Sequence, residues 1–490
     1  MVYDYGVAST PRPPPAGASV HFSPASGGIC GNHKKKSQLC SPPTKLAKMK
    51  STQIKEKLQT YAIEELANRT RFNLRRDAKV KALIFVLGFF EVITQGYSLR
   101  KWAQRISTYL LGDCLSKAGL QKRFSSRTVK FCLDLLGRIL RGHFFDPLSR
   151  FKLSSPLLSS FAHVYVVDSS CLSLNSSLAW LFPGSHSSTG QAATARIQVC
   201  LELKQHLFRY FSLASFRNND QSHSPAILSF LQAGDLVLRD MGYWSLKVFR
   251  AIMAHQASFL SRFRYGAYLY HPHSGAQIPL GKLLKSATQK GLAYIDRPIL
   301  VGKKAQLPVR FVAIRLPEQI ANERIRKAKQ QRNQDTNHSK EYYEHLKWNI
   351  FLTNVPTQTW TAQQILQVYG LRWRIEILFK VWKSNFGLRT ILERSKIQSP
   401  NHLYIFLYLF LAYVTLVHLG FYHYFLFMIY QQYRKYLSWQ LFAQFVQEQA
   451  QELFKAQKEQ RLDQFLELLA TFYCHEKRKN RLPQLYYFFH

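Results

Sequence analysis

Acidic residues are scarce in this chain. Its 490 residues include 67 Lys and Arg but 28 Asp and Glu, a formal charge of +39. Self-repulsion on that scale is best offset by a polyanion, so nucleic acid is the first partner class and an anionic membrane surface the second. Cysteine is sparse as well. The seven, at 30, 40, 114, 132, 171, 200 and 474, form no CxxC pair and no Cys/His cluster with zinc spacing. That excludes a disulfide framework and a zinc finger, and points to free thiols in a reducing compartment. Residues 1–20 lack a basic segment followed by an apolar run, so a secretory signal is not expected there. Charge is missing altogether from 403–430, a stretch long enough to span a bilayer. Yet its six tyrosines and two histidines are spread along its length rather than banded at its ends. A buried helical hairpin broken near Gly420 fits this segment equally well.

What the chain does contain is apolar and aromatic: 47% hydrophobic and 14% aromatic residues, enough for a substantial core and two to four domains. Residues 1–48, rich in Pro, Ser and Gly, cannot bury enough apolar surface to order themselves, and Met49 is a candidate start of the folded protein. Residues 49–150 form a basic helical region with 20 Lys and Arg against 8 Asp and Glu. There "YSLRKWAQRI" and "LSKAGLQKRFSSRTVKFCLDLLGRIL" give two helical patterns, the second capped by Ser116. Two readings stay open: a helix-turn-helix laying Lys117, Gln121, Lys122 and Arg123 against DNA, or a basic bundle that reads no groove.

The period then changes. Segments 163–174, 195–203, 207–216 and 235–243 are β-rich, with a helix expected at 224–232. Residues 256–345 form a β-rich, basic insertion. "WNIFLTNV" (348–355) comes next as a fifth core strand, and Thr361 with Gln364 makes a capping box for the next helix. The expected fold class is α/β: a ribonuclease H-like catalytic core in 151–255 and 346–430, interrupted by that insertion, with helical N-terminal and C-terminal regions, the latter at 431–490.

Two aspartates end buried runs, Asp168 after Tyr165, Val166 and Val167, and Asp240 after Leu236, Val237 and Leu238. A carboxylate abutting a core strand is costly unless cations or donors compensate it, and strand ends of an α/β sheet are where ligands gather. Asp220 and Asp235 are read as turn aspartates. A third acid stands in "YGLRWRIEILFKVWK" (369–383). At about 100° per residue, Tyr369, Arg372, Glu376 and Lys383 fall on one side of a helix and Leu371, Ile375, Leu378 and Trp382 on the other. The polar side is either a solvated stripe with an ordinary i,i+4 pair or a functional face. Three acids on two strands and one helix suit Mg²⁺, which takes oxygen ligands and keeps some waters; two such ions would serve phosphodiester chemistry.

The spacing Tyr-x2-Arg-x3-Glu-x6-Lys, together with "VVDSS" around Asp168 and "DMGY" from Asp240, resembles DDE transposases of bacterial insertion sequences, in particular the subgroup bearing the Tyr-Arg-Glu-Lys signature. The resemblance covers roughly residues 70–430. It implies that Asp168, Asp240 and Glu376 ligate two Mg²⁺ (or Mn²⁺) and that Tyr369, Arg372 and Lys383 grip backbone phosphates at the transposon end. It further implies nicking, attack by the freed 3′-hydroxyl, a hairpin intermediate and strand transfer into target DNA. The expected partners are double-stranded DNA, as terminal inverted repeats and as target, and a second copy in a homodimer; the expected setting is the bacterial cytoplasm, at the nucleoid, with the 403–430 run a core helix rather than a membrane span. The family's base-stacking Trp has no counterpart in 256–345, which Trp244 and Trp348 only flank. A structure-selective nuclease of the same fold and an inactive DNA-binding remnant are the alternatives.

Overall fold

In the computed structural model the described residues run from 52 to 486, except 76, 95, 111, 146–154, 188–189, 331–337, 395–396 and 477–484. Residues 1–48 lie outside them.

Eleven strands among the described residues build one mixed sheet. They are β1 (Val164–Leu174), β2 (Pro183–Ser187), β3 (Gly190–Glu202), β4 (Leu207–Ser215), β5 (Leu236–Arg239), β6 (Ser258–Arg262), β7 (Leu269–Tyr270), β8 (Gln277–Ile278), β9 (Tyr294–Val301), β10 (Leu307–Arg315) and β11 (Trp348–Thr353). Their order is β2-β3-β1-β5-β6-β11-β10-β9-β7-β8, with β4 also on β3. β1 runs antiparallel to β3 but parallel to β5, and β5 is parallel to β6.

The expected fifth core strand is displaced by this order. The strand beside β5 is β6, within the stretch assigned to the insertion, while Trp348–Thr353 pairs antiparallel with β6 on its far side. Both segments are short apolar runs, and pairing between strands some ninety positions apart is a tertiary choice that neither run encodes alone. The insertion is also less purely β than expected. Helix Leu280–Gln289 falls between β8 and β9, and Glu318–Gln330 and Lys340–His345 follow β10, while β7–β10 extend the same sheet. The helix expected at 224–232 is a short turn, Asp220–His223, followed by a 3₁₀ segment, Ser224–Ser229, entered through Pro225.

Alternation along the strands separates two cores. Val164, Val166, Leu236, Leu238 and Leu260 face one, and Tyr165, Val167, Val237 and Phe259 face the other. The first core is covered by helices Ala362–Gly370, Trp373–Lys380 and the N-terminal helices, the second by Leu246–Ala254 and Leu280–Gln289.

The charge-free run forms one 34-residue helix, Pro400–Tyr433, rather than a hairpin. Gly420 continues it, directly after a π-turn at Val414–Leu419. The helix is long and apolar enough to cross a membrane, but 89% of its most apolar window is buried in the protein. It packs on Ala82–Thr94 and Ser126–Phe145, with Tyr97 Oη and His402 Nε2 hydrogen-bonded at 2.7 Å. Helices cover most of it and β4 touches it through Phe211 and Tyr408, so little of its surface needs charge. Each fully buried Leu or Phe there contributes roughly 1.5–3 kcal/mol. Cys132, Cys171, Cys200 and Cys474 are free thiols.

Candidate active site

The β1–β5 register pairs Val164 with Leu236 and Val166 with Leu238, so two residues further on Asp168 stands opposite Asp240. Both follow the alternation onto the face that the helix pair 362–380 covers, the face of Val166 and Leu238. Asp168 accepts the Ser169 backbone N–H at 2.8 Å. Asp240 is extended (φ −89°, ψ 170°) and leads into the 3₁₀ turn Met241–Tyr243.

Opposite them, Thr361 and Gln364 form the capping box expected from the sequence and start the helix Ala362–Gly370. No single helix runs through 369–383. Leu371 and Arg372 form a tight turn with i→i−3 bonds, a second helix spans Trp373–Lys380, and Val381–Asn385 is a π-turn. The break tips the polar side of the segment into the sheet. Arg372 is only 8% exposed, so this face is no solvated stripe.

Arg372 joins the acids. Its Nη1 donates to Asp168 Oδ2 at 3.2 Å, its Nη2 donates to Glu376 Oε1, and its guanidinium carbon lies 5.7 Å from the centre of the Tyr369 ring. The Tyr369 hydroxyl in turn donates to Asp240 Oδ1 at 3.1 Å. Burial pushes the Asp168 carboxyl up to about 6. Arg372 and the Ser169 N–H resist the rise, and Glu376 and Asp240 add to it. Burial, then Asp240, holds the Tyr369 phenol above its usual range. Arg372 is also held above its usual range: burial opposes its charge, but Tyr369, Asp240, Asp168 and Glu376 outweigh that.

Lys383 sits half-buried in the π-turn and pairs with none of the three acids. Burial and Arg389 lower its pKa, and Cys171, three residues beyond Asp168, opposes them. As the side chains are placed, no three His, Cys, Asp or Glu among the described residues could hold a metal ion, and Arg372 supplies the positive charge between Asp168 and Glu376. The donor chemistry nonetheless fits a hard cation. All three acids offer carboxylate oxygen, and Asp168 carries repulsion from the other two that a divalent ion would relieve.

Asp220, read as a turn residue, is instead a brace. It accepts from Arg196 Nη1 at 2.9 Å and Gln198 Nε2 at 3.0 Å, and Gln198 accepts from the Tyr243 hydroxyl of the "DMGY" turn. Arg196 also reaches Ser169 Oγ at 3.2 Å. These partners sit on β3, far from Asp220 in sequence, so no local pattern announced them.

The N-terminal residues form a second, separate set. Ser116 caps a helix as expected, but that helix, Lys117–Gln121, has five residues; a new one, Ser126–Phe145, starts after a turn in which Thr128 N–H donates to Ser125 Oγ at 3.4 Å. The helical pattern expected over 115–140 is thus divided. Lys117 and Gln121 are exposed on the short piece, while Lys122 and Arg123 fall in the turn. Those two line a cleft of about 450 Å³ with Arg75, Lys79, Arg127 and Asp77, and Arg123 Nη1 donates to Asn73 Oδ1 at 3.0 Å. Trp244 and Trp348 are both in the core, whereas Trp180 and Trp373 are 69% and 48% exposed.

A family model described as "Transposase DDE domain" matches residues 159–414, a span that holds Asp168, Asp240 and Glu376. The chain belongs to this family. The transposase for insertion sequence element IS231F of Bacillus thuringiensis subsp. israelensis is 28% identical over 357 residues, covering 68% of this chain and 73% of that one. The transposase for IS1151 of Clostridium perfringens is 24% identical over 373 residues, covering 71% and 76%. A cryo-EM structure of a piggyBac transposase synaptic complex with hairpin DNA aligns over 89% of this chain and 86% of that one, at 8% identity and a TM-score of 0.40, too distant to inform the fold. This transposase thus carries the arrangement of acids just described within its matched region.

Proposed function

We propose that this DDE transposase of the bacterial insertion-sequence type cuts DNA at transposon ends and joins the freed ends to target DNA, with Asp168, Asp240 and Glu376 holding two divalent cations, Mg²⁺ or Mn²⁺. The observation that carries the proposal is the single cluster in which Arg372 and Tyr369 tie all three acids together across two strands and a helix. The order β4-β3-β1-β5-β6, three antiparallel strands followed by two parallel ones, supports a ribonuclease H-like core. The Tyr-Arg-Glu-Lys spacing supports the corresponding subgroup, and with it a hairpin intermediate.

Bound divalent cations supply Lewis-acid activation of a water or 3′-hydroxyl and stabilise the leaving oxygen. The chain's own groups do the rest. Asp168 and Asp240, fixed by strand register, and Glu376, on the helix, hold the positive charge. Arg372 exchanges a carboxylate for a phosphate oxygen when DNA arrives, since its fork suits either. Tyr369 orients Asp240 through its hydroxyl, and Lys383 binds a neighbouring phosphate as a point charge. Lys117 and Gln121 on the short helix, and Lys122 and Arg123 with the rest of the N-terminal cleft, hold DNA away from the chemistry. The working assembly is a homodimer on double-stranded DNA in the cytoplasm. The test is cleavage of a labelled duplex carrying the element's terminal inverted repeat, with Mg²⁺ or with chelator. Site-specific nicking with Mg²⁺ alone supports the reading; metal-independent nicking, or none, contradicts it.

A further inference from the structure

One arginine stands in the row of acids without an acid of its own. β5 pairs with β6 at Arg239 and Ser261, so Arg262 lies beside Asp240 as Asp240 lies beside Asp168. The side chains alternate alike on the three strands. Leu260, two residues before Arg262, faces the same core as Leu238 and Val166, so Arg262 shares the face of Asp168, Asp240 and the helix pair 362–380. It is half-buried there, and among the described residues its side chain forms no hydrogen bond or ion pair.

Its surroundings are cationic on the side away from the acids. Arg324, from the helix Glu318–Gln330, donates to Asn349 Oδ1 of β11 at 3.0 Å, and burial, then repulsion from Arg262, lowers its pKa. His345 is pushed down to about 4, by burial first and then by Arg262 and Arg324, and its buried Nδ1 has no hydrogen-bond partner. On the other side Arg262 acts on Tyr369, the residue that donates to Asp240. Two guanidiniums that form no ion pair with a carboxylate among the described residues, and an unpartnered imidazole nitrogen, all partly desolvated, are costly to keep together unless an anion completes them.

We infer that Arg262, backed by Arg324, is the seat of a DNA phosphate one step along the backbone from the scissile one, on the β11 side of the acids. The insertion thereby contributes directly to the reaction centre rather than decorating it. This rests on the transposase reading above, and chemically it needs only a phosphodiester oxygen facing a guanidinium fork.

The test uses the full chain with Arg262→Gln and Arg262→Lys, and an inverted-repeat duplex in which each phosphate flanking the cleavage site is replaced in turn by a neutral methylphosphonate. Arg262→Gln should bind end DNA about 5- to 30-fold more weakly and Arg262→Lys less so, since a point charge replaces only part of the fork. Neutralising one particular phosphate should weaken wild type by a similar factor and Arg262→Gln hardly at all, the signature of a shared contact. The thermal midpoint of Arg262→Gln should not fall, because the change relieves crowding among cations. A fall in the midpoint, with losses that multiply at every phosphate, overturns the inference in favour of a structural arginine. Unchanged DNA affinity overturns it alone; a wild-type protein that neither binds nor cuts end DNA overturns the transposase reading with it.

Discussion

In the N-terminal cleft, Arg75, Lys79, Lys122, Arg123 and Arg127 line one space with, among the described residues, a single acid, Asp77, and there half-buried Arg123 donates to no more than an amide oxygen of Asn73. At the sheet, Arg372 is more deeply buried yet bridges Asp168 and Glu376 and sits against Tyr369, which holds Asp240. The first arrangement leaves charge available to any phosphate. The second gathers acids at a cost that simple DNA binding would not require. A chain of +39 has no electrostatic need to collect carboxylates on one face; their convergence is the mark of chemistry rather than of adhesion.

Substitutions that break this contrast at the sheet should have the largest effects. Asp168→Asn and Asp240→Asn should each reduce single-turnover cleavage of end DNA by about 10³-fold or more, since several kcal/mol of charge stabilisation is lost. Affinity for the same duplex, measured by anisotropy, should change by less than about threefold. Mg²⁺-dependent nicking retained by either variant would remove that residue from the set.

Lys383 stands between the two behaviours, half-buried near Cys171, three residues beyond Asp168, and paired with none of the three acids. Lys383→Ala should weaken end binding and slow cleavage together, by roughly 5- to 150-fold, the worth of a phosphate contact in a partly desolvated site. An exposed lysine without such a role would cost almost nothing in either assay.

The N-terminal set should fail differently. Changing Lys122 and Arg123 to Ala should lower affinity without altering the cleavage rate at saturating DNA. It should also reduce the salt slope by about 1 for each phosphate no longer neutralised. If Lys117 and Gln121 touch base edges, their replacement reduces the preference for transposon ends over random duplex. Equal loss on both DNAs marks a basic bundle that reads no groove.

The smallest expected effect is thermal. The folded Asp168 carboxyl is raised to about 6, above its ordinary value of 3.8. Wild type therefore loses stability as pH rises from about 4 through 6, where the folded carboxyl holds a proton that the unfolded one has released. Asn does not ionise, so Asp168→Asn should melt a few degrees above wild type at pH 7.5, with the gap closing below pH 4. A gap that is independent of pH would locate the effect elsewhere.

Much of this arrangement is written locally in the chain. The Val-rich run before Asp168 and the apolar run before Asp240 specify strands whose ends carry acids, and the capping box at Thr361 and Gln364 starts the helix that faces them. The breaks are harder to read. Nothing in the apolar period of 369–383 signals the turn at Leu371 and Arg372, because a tightened turn keeps its apolar residues on much the same side. Division of the 115–140 segment was foreshadowed by Ser125 and Thr128, a capping pair outweighed by the apolar residues on either side of it. The exchange of β6 for β11 beside β5 lay beyond local reading altogether, and it alone brings Arg262 into the row of acids.

The central claim, that the buried polar face of 369–383 is catalytic, is tested most directly by single-turnover cleavage of an inverted-repeat duplex by Glu376→Gln, at DNA occupancy matched to wild type and in the presence of Mg²⁺. Glu376 touches the site through Arg372 and repels Asp168, so its neutral isostere should fold and bind DNA as wild type does. The expected result is full occupancy with cleavage reduced by about 10³-fold or more. Cleavage at the wild-type rate by bound Glu376→Gln would contradict the account.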